Sequence, residues 1–137
     1  MYHVLSRGNE RKDIFHDDRD RQTFLDVIGE MSDQYRVDIF AYTLMDNHYH
    51  ILLRTNHANL SKSMQWLALT YTRRFNNRHF RSGHLFQGRF KSIIVQNDAY
   101  LMRLSCYIHP SQSFKGRHHR PLSRVSLEQL QSLRLWW

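Results

Sequence analysis

His48 and His50, one residue apart in MDNHYHILLR, are the side chains whose type and spacing most directly suggest chemistry. A β-strand turns alternate side chains to the same face, so residues two apart can bring their imidazoles to one metal ion. Two nitrogen ligands leave coordination positions for water, a phosphate oxygen or a third protein group, which is how a catalytic site is built. A closed structural zinc site needs four protein ligands, often with cysteine, and the single Cys106 lies far along the chain. Taken alone, the pair is equally compatible with two solvent-facing strand histidines.

A divalent ion on such a face could polarise a phosphodiester and offset charge as it develops. Such chemistry calls for a nucleophile. No Ser-His-Asp pattern stands out, and Cys106 has the apolar helical context of an inert core thiol. A tyrosine, with a phenol pKa of about 10, can serve if a cation stabilises its phenolate. Tyr100 and Tyr107, seven residues apart, share one face of a short helix and are both candidates. The alternative for each is an anchor that packs the helix on a sheet.

Twenty Lys and Arg against twelve Asp and Glu give a formal charge of +8 and a pI near 10.1, with ten histidines besides. That balance favours a polyanionic partner, nucleic acid first. The 137 residues suit one domain that can bury its own core. One cysteine rules out an internal disulfide framework and is compatible with a reducing compartment. No apolar run approaches the ~18 residues of a membrane span, and the start MYHVLSRGNERKD lacks a secretory segment. A cytoplasmic protein with no membrane partner is expected. The first strand begins almost at Met1, as it would in a trimmed form of a longer chain.

The elements that must position the histidines follow from periodicity. YHVLSR, residues 2 to 7, alternates as a strand and stops at the turn-forming Gly8 and Asn9. From Asp17 to Tyr35, Phe24, Leu25, Val27, Ile28 and Met31 recur at helical spacing, with Asp17 or Asp18 as N-cap. RVDIFAYTLMD and HYHILLRT, broken at Asp46 and Asn47, form a hairpin. A second helix carries Leu60, Met64, Leu67, Tyr71 and Phe75, capped by Asn59 or Ser61. HLFQGRFKSIIVQ alternates as a fourth strand, and a short helix runs from Asn97 or Asp98 to before Pro110.

This β-α-β-β-α-β-α order predicts an α+β, ferredoxin-like split βαβ sandwich: a four-stranded antiparallel sheet with two helices on one face. The short last helix would carry the tyrosine. Tyr49, Ile51 and Leu53 should meet the helices, leaving His48, His50, Leu52 and Arg54 on the open face. A domain over 1–110 is expected, followed by a basic tail over 111–137 with a possible short helix from Leu127. Gln87, Arg89 and Lys91 alternate onto one face of strand four, where they could grip phosphates or touch a base edge. Phe86 and Phe90 fall on the other face. Arg73, Arg74, Arg78 and Arg81 offer a second phosphate-contact region, or else a solvated basic helix end.

Four segments in order, SRGNERKDIF, MDNHYHILLR, RSGHLFQGRFKSI and DAYLMRLSCYIH, together resemble the IS200-like HUH single-tyrosine transposases. The similarity is greatest to the REP-associated tyrosine transposases and covers residues 2 to about 110. It implies an enzyme that cleaves and rejoins single-stranded, hairpin-associated DNA with a divalent metal, Mg²⁺ or Mn²⁺. His48 and His50 match the metal pair, with Tyr49 between them. Tyr107 matches the nucleophile that keeps a 5'-phosphotyrosine and releases a 3'-hydroxyl. Relatives read Tyr-Ile-His-x-Asn-Pro where this chain reads YIHPSQ, so Ser111 stands in place of the Asn that completes the metal site. Ser111 or Gln112 is then the candidate third ligand. Monomers and dimers both occur in the family. The competing expectation is a non-catalytic nucleic-acid-binding protein, or a domesticated regulator, on the same fold. Its mark would be aromatic residues on the open sheet face, for which Phe40 and Tyr42 are the candidates.

Overall fold

The structure, a computed structural model, describes residues 1–96. The chain runs β1 (Tyr2–Arg7), a 3-10 turn (Asn9–Arg11), α1 (Asp18–Tyr35), β2 (Val37–Met45), β3 (His48–Thr55), α2 (Leu60–His79) and β4 (Lys91–Ile94). The strands form one antiparallel sheet in the order β2-β3-β1-β4, and α1 and α2 lie side by side on one face. This is the expected α+β, ferredoxin-like arrangement. The expected last helix, with Tyr100, Cys106 and Tyr107, lies outside the described residues. So do Ser111, Gln112, the domain limit at 110 and the tail.

Each helix forms where its apolar spacing predicts. Asp17 is the N-cap of α1, its side chain accepting the Asp20 N–H at 3.0 Å. The helix ends at Arg36, which is in the left-handed region. Phe24, Val27, Ile28 and Met31 of α1 and Met64, Leu67, Tyr71 and Phe75 of α2 bury against Val4, Tyr49, Ile51 and Leu53 of the sheet. Each such side chain contributes about 1.5–3 kcal/mol of burial. Tyr71 keeps its polar end satisfied by donating its hydroxyl to the Ile14 carbonyl at 2.5 Å.

The segment that follows β1 is tied down at three points. Gly8 N–H donates to Asn47 O at 2.8 Å, Asn9 N–H to Leu85 O at 2.8 Å, and Ile14 N–H to Asp46 O at 2.8 Å. A Cβ on Gly8 would fall 2.0 Å from the Lys12 carbonyl oxygen, a backbone atom that cannot step aside. Gly8→Ala is therefore expected to cost about 1–3 kcal/mol. Urea unfolding followed by circular dichroism measures it, and an unchanged midpoint would contradict the tight approach.

Three expectations are corrected by the fold. Strand four was expected to alternate from His84 onward, but β4 is only Lys91–Ile94, an exposed edge strand. Before it, Gly88 has φ +65, and Phe86 makes an isolated bridge to Gly8. The backbone there turns rather than extends, so Gln87 and Arg89 are not strand residues. The second sheet face is not uniformly open either: Ala41, Leu52 and Val95 form a small buried cluster with Met1 and Phe40 packed on it. Finally, Phe40 and Tyr42 do not share a face. The register of β2 shifts between Ile39 and Ala41, so Tyr42 packs toward the helices while Phe40 joins the small cluster, with the Arg54 guanidinium 5.5 Å from its ring.

Candidate metal centre

His48 opens β3, opposite Arg7 of β1 and Met45 of β2; His50 is opposite Leu5 and Thr43. Directly opposed residues share a face. Both histidines therefore lie on the face away from the helices, together with Arg7, and Tyr49 between them is fully buried in the core. The two rings are edge to face with centroids 5.2 Å apart.

Neighbouring groups define how each ring is presented. Asn47 Nδ2 donates to the Arg11 carbonyl at 3.2 Å, which turns the amide oxygen toward His48. That oxygen lies 2.8 Å from His48 Nδ1, so Nδ1 carries the proton and the lone pair is on Nε2. His50 Nδ1 is 3.0 Å from Nε2 of His3, a histidine only 2% exposed. The His3 and His50 rings stack with centroids 5.2 Å apart.

Burial lowers the pKa of all three imidazoles. It takes His3 down to about 4. Burial, then the nearby His3 and His48, takes His50 down to about 3, and burial with the Arg7 charge lowers His48. Neutral imidazoles are what a metal needs, because the binding lone pair is not spent on a proton. The two rings on this face are therefore donors of the kind a divalent ion takes.

The same burial predicts acid sensitivity. Unfolded histidine titrates near 6.5, while folded His3 does so near 4, so between these values the unfolded chain binds protons that the native state refuses. Stability is full above pH 6.5 and falls as pH drops toward 4, by on the order of 3 kcal/mol for His3. Urea titrations of metal-free protein from pH 7.5 to 4 check this: the curve for His3→Leu should be flatter than wild type, and parallel curves would refute it.

The sequence pattern described as Transposase IS200 like matches residues 1–111. The chain belongs to the IS200-like transposase family. No curated protein matches the sequence. Among solved structures, the transposase fold resembles a protein assigned as a transposase from Deinococcus radiodurans R1, with TM-score 0.58, 17% identity, and coverage of 73% of this chain and 82% of that one. It also resembles a REP-associated tyrosine transposase bound to a REP hairpin, with TM-score 0.57 and 14% identity over 77% of this chain. The match spans 62% of that second protein's length.

The other residues singled out in the transposase sequence are dispersed. Lys91 is opposite Leu5 on the face of the histidines. Gln87 is exposed and accepts from Arg7 Nη2 at 2.7 Å, which ties it to the same end of the sheet. Arg89 and Arg73 are exposed. Arg74 makes two hydrogen bonds to the Glu30 carboxylate, both 2.9 Å. Arg78 bridges Asp17 at 2.6 Å and Asp20 at 2.7 Å. Arg81 donates to Asn76 Oδ1 at 2.7 Å and, beside the Phe75 ring, borders a cleft of about 570 Å³ with Arg11, Lys12 and His84.

Two groups escaped sequence reasoning. Arg7 and His3 were readable in principle, because YHVLSR places His3, Leu5 and Arg7 on one face, but nothing local says which face. The other is His16, Asp20 and His79, whose ligand atoms lie within 4.8 Å of one another. Asp20 already accepts from His79 Nε2 at 2.8 Å, Arg78 at 2.7 Å and the His16 N–H at 2.9 Å. A cation there would have to share Asp20 with the Arg78 charge, so the group is a latch between α1 and α2. His79 is 59 residues from Asp20, and no sequence spacing announces such a contact. Among the described residues, no helix is long and apolar enough to cross a membrane.

Proposed function

We propose that this transposase cleaves and rejoins single-stranded, hairpin-associated DNA through a covalent tyrosine intermediate. The observation that carries the reading is the presentation of His48 and His50 on one sheet face, Nδ1 of each taken by a protein partner, beside Arg7. Nε2 of each ring would hold a divalent ion, Mg²⁺ or Mn²⁺, with Ser111 or Gln112 as the third protein ligand. When bound, the ion supplies Lewis-acid stabilisation of phosphate charge.

The chain's own groups perform the transfer. The Tyr107 oxygen attacks the phosphorus, a new O–P bond forms, and the bond to the 3' oxygen breaks. The phenol proton leaves and the departing 3' oxygen takes one up, giving a 5'-phosphotyrosine and a 3'-hydroxyl. A second 3'-hydroxyl can reverse the step, because the phosphodiester is conserved in the tyrosine link. On this reading Arg7, held by Gln87, meets a phosphate next to His48, with Lys91 on the same sheet face, and Arg89, Arg73 and Arg81 are separate candidate phosphate contacts.

The solved relative described as bound to a REP hairpin supports hairpin DNA as partner. The test is incubation with a single-stranded hairpin oligonucleotide and Mn²⁺, followed by denaturing electrophoresis. A protein-DNA adduct that EDTA prevents and added Mn²⁺ restores is the expected outcome. A binding protein without chemistry would shift the hairpin in a native gel and give no adduct, which would sink the enzymatic reading.

A further inference from the structure

We infer that His3 is a positioning residue for the metal centre: its Nε2 accepts the Nδ1–H of His50, and so fixes both the tautomer and the ring angle of that ligand. The inference rests on the reading of His48 and His50 as metal ligands.

A neutral imidazole offers one lone pair, on whichever nitrogen lacks the proton, and in water the two tautomers interconvert. For His48 the choice is made by Asn47, whose amide is itself oriented by the Arg11 carbonyl. For His50 the corresponding contact is the 3.0 Å between its Nδ1 and His3 Nε2. One ring must donate and the other accept. If His50 is to present Nε2 as His48 does, it is the donor, and His3 is the acceptor with its own proton on Nδ1.

The position of His3 suits this work. It is on β1, next to β3, at register with Leu52 and two residues along from Leu5, the residue opposite His50. Its side chain is 2% exposed, so water does not compete for the bond, and the stacked ring contact at 5.2 Å limits rotation of His50 about its own axis. The two ligands are thus oriented by different devices. An amide carbonyl holds His48 from the hairpin turn, and an imidazole holds His50 from the neighbouring strand. Outer partners of this type typically tune metal affinity 10–100-fold.

Imidazole ¹⁵N NMR of the metal-free protein reads the tautomer directly. In wild type, His50 should be the Nδ1–H form and His3 should carry its proton on Nδ1; the opposite pairing would overturn the proposal whatever any variant does. His3→Leu removes the acceptor while keeping an apolar side chain, and should leave His50 a mixture of tautomers and weaken Mn²⁺ binding about 10–100-fold by calorimetry. His3→Gln, which restores an acceptor oxygen, should bring affinity back to within a few-fold. Thermal unfolding run in parallel separates lost folding from lost positioning. An unchanged His50 tautomer and unchanged Mn²⁺ affinity in a folded His3→Leu protein would defeat the inference. Failure of the wild type to bind Mn²⁺ would instead defeat the metal reading, and the NMR result would still decide how His3 and His50 are bonded.

Discussion

Tyr107→Phe is expected to abolish the protein-DNA adduct at every Mn²⁺ concentration, whereas His48→Ala is expected to lower it by more than ~100-fold and to recover in part as Mn²⁺ is raised. The difference follows from the two roles. Phenylalanine has no oxygen to attack phosphorus, so no amount of metal restores a bond that cannot form. Alanine at 48 removes one of two imidazoles and leaves His50, still oriented by His3 at 3.0 Å, to hold the ion weakly. The loss should exceed the 10–100-fold typical of outer partners because a direct ligand is removed. His48 is half-buried at the start of β3, and its side chain points away from the main core, so the fold should survive. Quantifying the adduct across a Mn²⁺ series for wild type and both variants tests this. Equal adduct from Tyr107→Phe would mean that another residue is the nucleophile, and full activity in His48→Ala would remove the metal role of the pair.

Asp20→Ala should be the most damaging single change in the polar framework, with a loss of about 3–5 kcal/mol. Burial opposes ionisation of Asp20, but the His16 N–H, Arg78 and His79 together outweigh it and hold the carboxyl below its ordinary pKa. The side chain is 2% exposed, and removing it strands His79 and a backbone N–H beside a hole. Arg78 keeps Asp17 at 2.6 Å, which places the expected loss toward the lower figure. For a domain of this size the melting temperature should fall by roughly 10 °C. Asp20→Asn, similar in volume and still able to accept, should lie between wild type and Asp20→Ala. A change under ~1 kcal/mol would show that the latch does not hold the helices. Mn²⁺ stoichiometry should stay the same in the folded fraction of either variant, since the group lies apart from His48 and His50.

The fold was readable because its signals are local. Period-two alternation in residues 2 to 7 and 48 to 55 and period-3.6 spacing in α1 and α2 survive in a linear string, and their order leaves few topologies. The same alternation placed Tyr49 in the core and His48 and His50 on the other face. It failed in the two places where the backbone breaks period. The register shift in β2 moved Tyr42 to the helix side, and the turn at Gly88 removed Gln87 and Arg89 from strand four. A bulge costs one residue and reverses every face after it, so period alone cannot detect it.

By itself, then, the sequence determined the element order through β4 and the basic character that suits a DNA strand, and it named the candidate metal pair and the candidate nucleophile at 107. Only the tertiary structure decided what surrounds those residues. His3 meets His50 because β1 lies beside β3 in one particular register, 47 positions apart in the chain, and Asp20 meets His79 because α1 and α2 pack side by side. Such contacts depend on how faces are paired in space rather than on spacing along the chain. For that reason the groups that could bind metal were visible in the string of residues, while those that orient one of them and latch the helices were not.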